Sequence, residues 1–323
     1  MTHAIRIHSY GGPEVLTWES VNVGEPGPDQ VRLRHTAIGL NFIDVYERTG
    51  LYPGALPGGL GREAAGVVEA VGPNVHHLKV GDRIAYTLSV AGSYAEQRVA
   101  PAERLIKVPD SIADDAAAAI MLKGLTAQAL LRRTYRVQPG DTVLVHAAAG
   151  GVGLLLVQWA KHLGARVIGI VGNESKAKLA REHGADLVLL DTSDWVSATR
   201  DYTNKLGVAA VYDSVGQATF MRSLDCLRPL GMMITFGNAS GPVAPVAPLE
   251  LAKRGSLFLT RPTLFHYIAT RAELQAAADE LFAVIAQGAV RVHIGQRYAL
   301  RDAAQAHRDL ESRRTVGATV LLP

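Results

Sequence analysis

The stretch Val143-Leu144-Val145-His146-Ala147-Ala148-Ala149-Gly150-Gly151-Val152-Gly153 decides how the second half of this chain folds. Val143 to Val145 is an apolar run of the kind buried on both faces of a parallel sheet. The run breaks into a loop of small residues. A helix pattern follows at once in Leu154-Leu155-Leu156-Val157-Gln158-Trp159-Ala160-Lys161, and a second strand reads as Val167-Ile168-Gly169-Ile170-Val171. Strand, Gly-rich turn, helix and strand form a dinucleotide-binding βαβ unit. Small residues let the backbone approach a pyrophosphate, and the helix start offers free N–H groups and a positive dipole end. Ala148 stands at the first glycine position of G-x-G-x-x-G, while Gly150 and Gly153 fill the other two. Ala149, Gly150, Gly151, Val152 and Gly153 are the expected phosphate cradle.

The alternation continues on the C-terminal side. Leu187–Leu190, Ala209–Tyr212 and Met232–Phe236 read as further strands, with helical stretches between most of them. Such alternation calls for a parallel sheet covered on both faces. The N-terminal side is different. Val31–Ile38 alternates at period two, and Ala65–Val71, Gly81–Tyr86 and Ser93–Val99 continue a series of short strands separated by Gly/Pro turns. This pattern predicts a compact barrel-like module. The character changes near Asp114-Asp115, where acidic residues suit a helix start. A long helix pattern over Arg271–Gln287 leads to terminal strands near Gln296–Leu300 and Gly317–Leu322, which are expected to return to the first module.

Composition bounds the rest. The 323 residues suffice for about two domains. A 48% hydrophobic and 20% charged chain is ordinary globular material. There is no run of 18 apolar residues, and the N-terminus lacks a signal-peptide layout, so neither a membrane span nor secretion is expected. Cys226 is the single cysteine, which excludes an intramolecular disulfide and a four-cysteine zinc site; a cytoplasmic location is the expectation. The net charge of +3 is spread along the chain without interleaved aromatics, so nucleic acid is not an expected partner. His146 reads as a packed strand-end histidine, and His76-His77 as a solvated loop.

With these residues in place, the chain resembles the medium-chain dehydrogenase/reductase superfamily, specifically the zinc-independent NADPH:quinone oxidoreductases related to zeta-crystallin. The motifs are Leu40-Asn41-Phe42-Ile43-Asp44, Gly61-Arg62-Glu63-Ala64-Ala65-Gly66, Lys123-Gly124-Leu125-Thr126-Ala127, the Ala147–Gly153 loop, Asp213-Ser214-Val215-Gly216 and Phe236-Gly237-Asn238. The resemblance implies an α/β fold class: a Rossmann doubly wound parallel sheet (residues 123–264) plus a GroES-like β-rich catalytic domain (residues 1–122 and 265–323), with the nicotinamide in the cleft between them. It also implies a homodimer. Zinc alcohol dehydrogenases of the superfamily place a Cys in the segment matching Asn41–Asp44 and a His where Arg62 stands. Asn, Asp and Arg replace them here, so no metal is expected.

The resemblance places Asn41, Asp44, Tyr46 and Tyr52 at the reacting centre. Asn41 is implied as an amide donor to cofactor or acceptor, Asp44 as an orienting group, and the tyrosines as stacking or hydrogen-bonding groups. Thr126, Val215, Phe236, Asn238 and Ser240 are expected around the nicotinamide and its ribose, and a backbone group near Leu264 at the carboxamide. The second strand ends in Val171-Gly172-Asn173 without the acid that binds a ribose 2′-OH in NAD-specific domains. Gly172 and Asn173 offer N–H donors and Lys176 a positive charge, which favours NADPH. The resemblance adds Arg313 to that phosphate. Asp191 stands where the bacterial relatives are expected to carry Tyr, and opposes a 2′-phosphate. The expected activity is direct hydride transfer to a quinone without metal or flavin. Reduction of an activated C=C bond and a non-catalytic NADPH-binding role are the alternatives.

Overall fold

The computed structural model describes residues 2–323, and its contacts divide into two compact units. The first comprises residues 1–125, 269–282 and 292–323; the second comprises 126–268 and 283–291. These limits lie a few residues from the expected 122/123 and 264/265. The second unit also takes up 283–291. Gln158 explains this, because its side chain donates to the Arg291 carbonyl at 3.1 Å and accepts from the Arg291 N–H at 2.9 Å.

The second unit holds a six-stranded parallel sheet. We number its strands β1 (Thr142–His146), β2 (Arg166–Val171), β3 (Leu187–Leu190), β4 (Val208–Asp213), β5 (Leu227–Thr235) and β6 (Phe258–Thr260). Their spatial order is 3-2-1-4-5-6, that of the doubly wound nucleotide-binding sheet. All residues of β1 and β4 are buried, as the apolar runs require. Strand β5 begins five residues before the expected Met232. Leu227 pairs with Val208 ahead of an irregularity in the register, and Leu230 takes a left-handed φ of 59° between the two paired stretches. On one side the sheet packs Leu144, Ile168 and Val211 against Trp195, Phe220 and Leu224.

In the first unit, Gln30–Leu40 is the central strand. It pairs antiparallel with Glu63–Val71, Gln97–Pro101 and Ala318–Leu322. Val31 and Leu33 point inward with their polar neighbours outward, until a register shift between His35 and Ala37 ends the simple alternation. Ile294–Ala299 lies parallel to Ala318–Leu322, joined by the helix Ala303–Glu311. The expected strand over Ser93–Val99 starts only at Gln97. Upstream, the N–H groups of Tyr94 and Glu96 go to Leu60 and His3 rather than to one neighbouring strand. Among the described residues, no helix is long and apolar enough to cross a membrane.

Candidate functional site

The loop after β1 is built around one tight contact. Ala147 takes a left-handed φ of 49°, and the Gly150 N–H closes a turn onto the Ala147 carbonyl at 2.8 Å. That carbonyl faces Gly153, where a Cβ would stand 2.2 Å away. Only glycine lets the helix Gly151–His162 start so close to the strand. The methyl of Ala148 is accommodated by Gly169 on β2, since a Cβ at 169 would meet it at 2.9 Å. The helical ladder begins with Leu154 N–H to the Gly150 carbonyl at 2.9 Å, and Gly150 has no side-chain cap. The N–H groups of Gly151, Val152 and Gly153 precede that first rung, as an anion-binding helix start requires.

Strand β2 ends at Val171, followed by exposed Gly172 and Asn173. Asn173 caps the helix Glu174–Glu182: its Oδ1 accepts from Lys176 N–H at 3.0 Å and from Ser175 Oγ at 2.7 Å. Its Oδ1 is therefore engaged by the helix start, which places Lys176 in the first turn. Asp191 follows β3, and its N–H donates to the Val171 carbonyl at 2.8 Å.

The loops after β4 and β5 are sewn together. Phe236 N–H donates to Asp213 O at 2.8 Å, and Ser240 N–H and Oγ–H both reach the Val215 carbonyl at 2.8 Å. Ser240 Oγ also accepts from Ala218 N–H, so the hydroxyl is committed inside the loop. Val215, Phe236, Asn238 and Ser240 thus share the C-terminal edge of the sheet, where doubly wound folds bind ligands. Leu264 opens a short helix just beyond β6, and Thr126 is the first residue of this unit. Arg313 belongs to the first unit, in a left-handed turn (φ 60°) after Ala303–Glu311.

In the first unit, the expected reacting-centre residues lie on and beside the helix Phe42–Thr49, which the sequence reading did not assign as a helix. Its signals were present in Asn41-x-x-Asp44, a capping box, and in Gly50 at the left-handed C-cap. The Asn41 backbone N–H donates to Asp44 Oδ2 at 2.9 Å. The Asn41 side-chain amide, implied by the resemblance as a donor to cofactor or acceptor, donates to Glu63 Oε1 at 2.8 Å and to Gly39 O at 3.3 Å. Glu63 is fully buried; it also binds Lys123 Nζ at 2.5 Å and Leu122 N–H at 2.6 Å. Tyr46 is buried and meets half-exposed Tyr52 edge-on, with ring centroids 5.2 Å apart.

A buried hydrogen-bond chain backs this helix. Arg48 donates to both oxygens of Glu311 and to His307 Nδ1, so His307 carries its proton on Nε2. Nε2–H points to the Tyr94 hydroxyl at 3.1 Å, which donates to Asp44 Oδ2 at 2.8 Å. Burial, with Arg48 alongside, pushes His307 down to about 3. Burial and the neighbouring Glu47 charge raise Asp44 from 3.8 to about 7. Folded Asp44 therefore holds its proton more tightly than the unfolded chain does. Its favourable contribution is complete below pH 3.8 and is lost as pH rises through about 7. Asp44→Asn removes that titration. Wild type should lose stability relative to this variant, on the order of a few kcal/mol, as pH rises through that window. Paired urea titrations at the two ends of the window test this, and parallel curves would refute it.

Arg62 donates to Glu47 and to the carbonyl of Ser89. A guanidinium cannot ligate zinc, and here it is already paired, so this position does not fit a zinc site. His77 bonds the Ala102 carbonyl at 3.1 Å. No group of three or more His, Cys, Asp or Glu suited to a metal occurs among the described residues.

A 3-2-1-4-5-6 sheet with a glycine-cradled helix start, in one chain with a β-rich module, defines the dehydrogenase/reductase class. The alcohol dehydrogenase GroES-like domain model matches residues 27–110, and the zinc-binding dehydrogenase model matches residues 151–283. A Pseudomonas aeruginosa quinone oxidoreductase is 53% identical over 100% of both chains. A 2-haloacrylate reductase from a Burkholderia species is 48% identical over 100% of this chain and 99% of its own. The Escherichia coli quinone oxidoreductase, solved in complex with NADPH, is 46% identical over 100% of both chains with a TM-score of 0.98. The chain belongs to the zeta-crystallin-like quinone oxidoreductases of the medium-chain dehydrogenase/reductase superfamily.

Proposed function

We propose that this protein is an NADPH-dependent quinone reductase acting by direct hydride transfer. The observation that carries the reading is the phosphate cradle: three N–H groups at a helix start without a side-chain cap, brought onto β1 by a glycine whose Cβ would stand 2.2 Å from the Ala147 carbonyl. The NADPH complex of the Escherichia coli relative supports it. When bound, NADPH supplies the hydride, and the quinone takes that hydride and a solvent proton to become the hydroquinone. The chain's own work is positional. Gly151, Val152 and Gly153 hold the pyrophosphate, Lys176 the 2′-phosphate, and the loops of Val215 and Phe236 the nicotinamide end. Tyr46 and Tyr52 offer aromatic surface to a flat acceptor.

The test is NADPH oxidation with 1,4-benzoquinone, with chelator present, repeated with NADH. Rapid NADPH-selective turnover is expected. Lys176→Ala should raise KM for NADPH roughly tenfold and leave KM for NADH unchanged. NADPH binding without turnover would sink the quinone reading, and NADH preference would overturn the cofactor assignment and implicate Asp191. The 2-haloacrylate reductase relative favours a second reading, reduction of an activated C=C bond. Competition between a quinone and an enone separates the two.

A homodimer through β6 is also proposed. Among the described residues this edge strand pairs only with β5, and it exposes Phe258 (55%) and Leu259 (40%), an open invitation to pairing. Phe258→Asp should halve the mass seen by light scattering; an unchanged mass would remove β6 from the interface. The single cysteine is buried, consistent with a proposed cytoplasmic location.

A further inference from the structure

Beneath the cofactor edge of the sheet lies a carboxylate that the proposed function does not use. Asp213 ends β4 and is fully buried. Its Oδ1 accepts from the N–H groups of Val215 at 2.8 Å and Gly216 at 3.1 Å. Its Oδ2 accepts from Thr219 Oγ1 at 2.7 Å and Ser223 Oγ at 3.3 Å. Four neutral donors thus fill both oxygens. Because Ser223 gives its proton to Asp213, its oxygen accepts from His146 Nε2–H at 2.8 Å. Burial holds His146 neutral by lowering its pKa, and its ring is fixed edge-on to Trp195 at 5.1 Å. The donors therefore all run one way, from His146 through Ser223 to Asp213.

The placement of the two ends matters. Strands β1 and β4 are neighbours, with Val145 opposite Tyr212, and they flank the point where strand order reverses. His146 and Asp213 are the next residues along each strand. His146 directly precedes Ala147, whose carbonyl sets the phosphate cradle; Asp213 holds the turn of Val215 and Gly216.

Resting on the dinucleotide reading above, we propose that Asp213 is a positioning residue for NADPH. Through Ser223 and His146 it couples the loop that holds the nicotinamide end to the loop that holds the pyrophosphate. A buried carboxylate is costly unless every lone pair is bonded, so the network has one low-energy arrangement, and that arrangement sets both loops at once. Packing alone would keep β1 and β4 adjacent, but it would not fix the Val215 turn relative to the cradle.

The experiment uses the full-length protein, with NADPH binding followed by fluorescence titration and steady-state kinetics alongside. Ser223→Ala cuts the link and leaves the Asp213 bonds to Val215 and Gly216. Its dissociation constant for NADPH should rise roughly tenfold, with kcat at saturating cofactor little changed. Asp213→Ala should weaken binding further. Ser223→Thr, which restores the hydroxyl, should recover most of the affinity. Combined with Gly150→Ala in the cradle, Ser223→Ala should show less than the sum of the two single effects on affinity, since both act on coupled loops. Ser223→Ala with wild-type NADPH affinity, or strictly additive effects, would overturn the proposal. Failure of the wild-type protein to bind NADPH would instead overturn the dinucleotide reading itself.

Discussion

Lys123→Met should destabilise the protein by about 3–5 kcal/mol, one of the largest single-residue effects expected outside the apolar core. Glu63 is fully buried and Lys123 is 5% exposed, so neither charge has water to fall back on. The substitution keeps the aliphatic stem but removes the cation, leaving buried Glu63 without its counter-ion and with only Asn41 and the Leu122 N–H. Glu63→Gln removes the charge and keeps an oxygen for the Asn41 amide. The double variant should therefore recover about 1–3 kcal/mol relative to Lys123→Met alone. Urea midpoints of the four proteins measure this directly. A wild-type midpoint for Lys123→Met would mean that the pair contributes nothing. The effect reaches the site because Asn41 starts the helix that carries Asp44 and Tyr46.

Gly153→Ala is expected to lower stability by about 1–3 kcal/mol through overpacking, and to weaken NADPH binding by more than roughly tenfold. The added methyl would sit 2.2 Å from the Ala147 carbonyl and 2.9 Å from Ala148 Cα, both backbone atoms that cannot swing aside. The helix start must withdraw from β1, taking the three N–H groups with it. Gly150→Ala makes a pointed comparison. Its new Cβ would lie 3.1 Å from the same carbonyl, and its φ of −85° suits any residue. That variant should lose less stability than Gly153→Ala and lose affinity mainly by crowding the phosphate. Differential scanning calorimetry with and without NADPH distinguishes the two. Equal stabilities for the two variants would contradict the geometry of the loop.

Much of the second unit was legible from residue order alone, because parallel strands buried on both faces leave continuous apolar runs and their helices announce themselves by period. The Gly150–Gly153 cradle and the end of β2 at Val171 follow from such local signals. The helix Phe42–Thr49 was less visible, since its apolar stripe is short and its start rests on one capping pair. The site residues split the same way. Gly151, Val152 and Gly153 present backbone N–H groups that their neighbours in sequence position. Asn41 does not, and its amide is claimed by Glu63, 22 residues away.

Residue order alone was enough for most elements of the second unit, the small-residue loop after β1 and the absence of Cys or His at positions 41–44 and 62. These depend on side-chain period, size and donor chemistry within a few residues. Which polar groups are available emerges only from the folded packing. It committed Asn41 to Glu63, and it ran the donor chains from Arg48 through His307 and Tyr94 to Asp44 and from His146 through Ser223 to Asp213. Whether a buried polar group is free or spent depends on partners distant in sequence, and pairing is imposed by the cost of burying it unbonded.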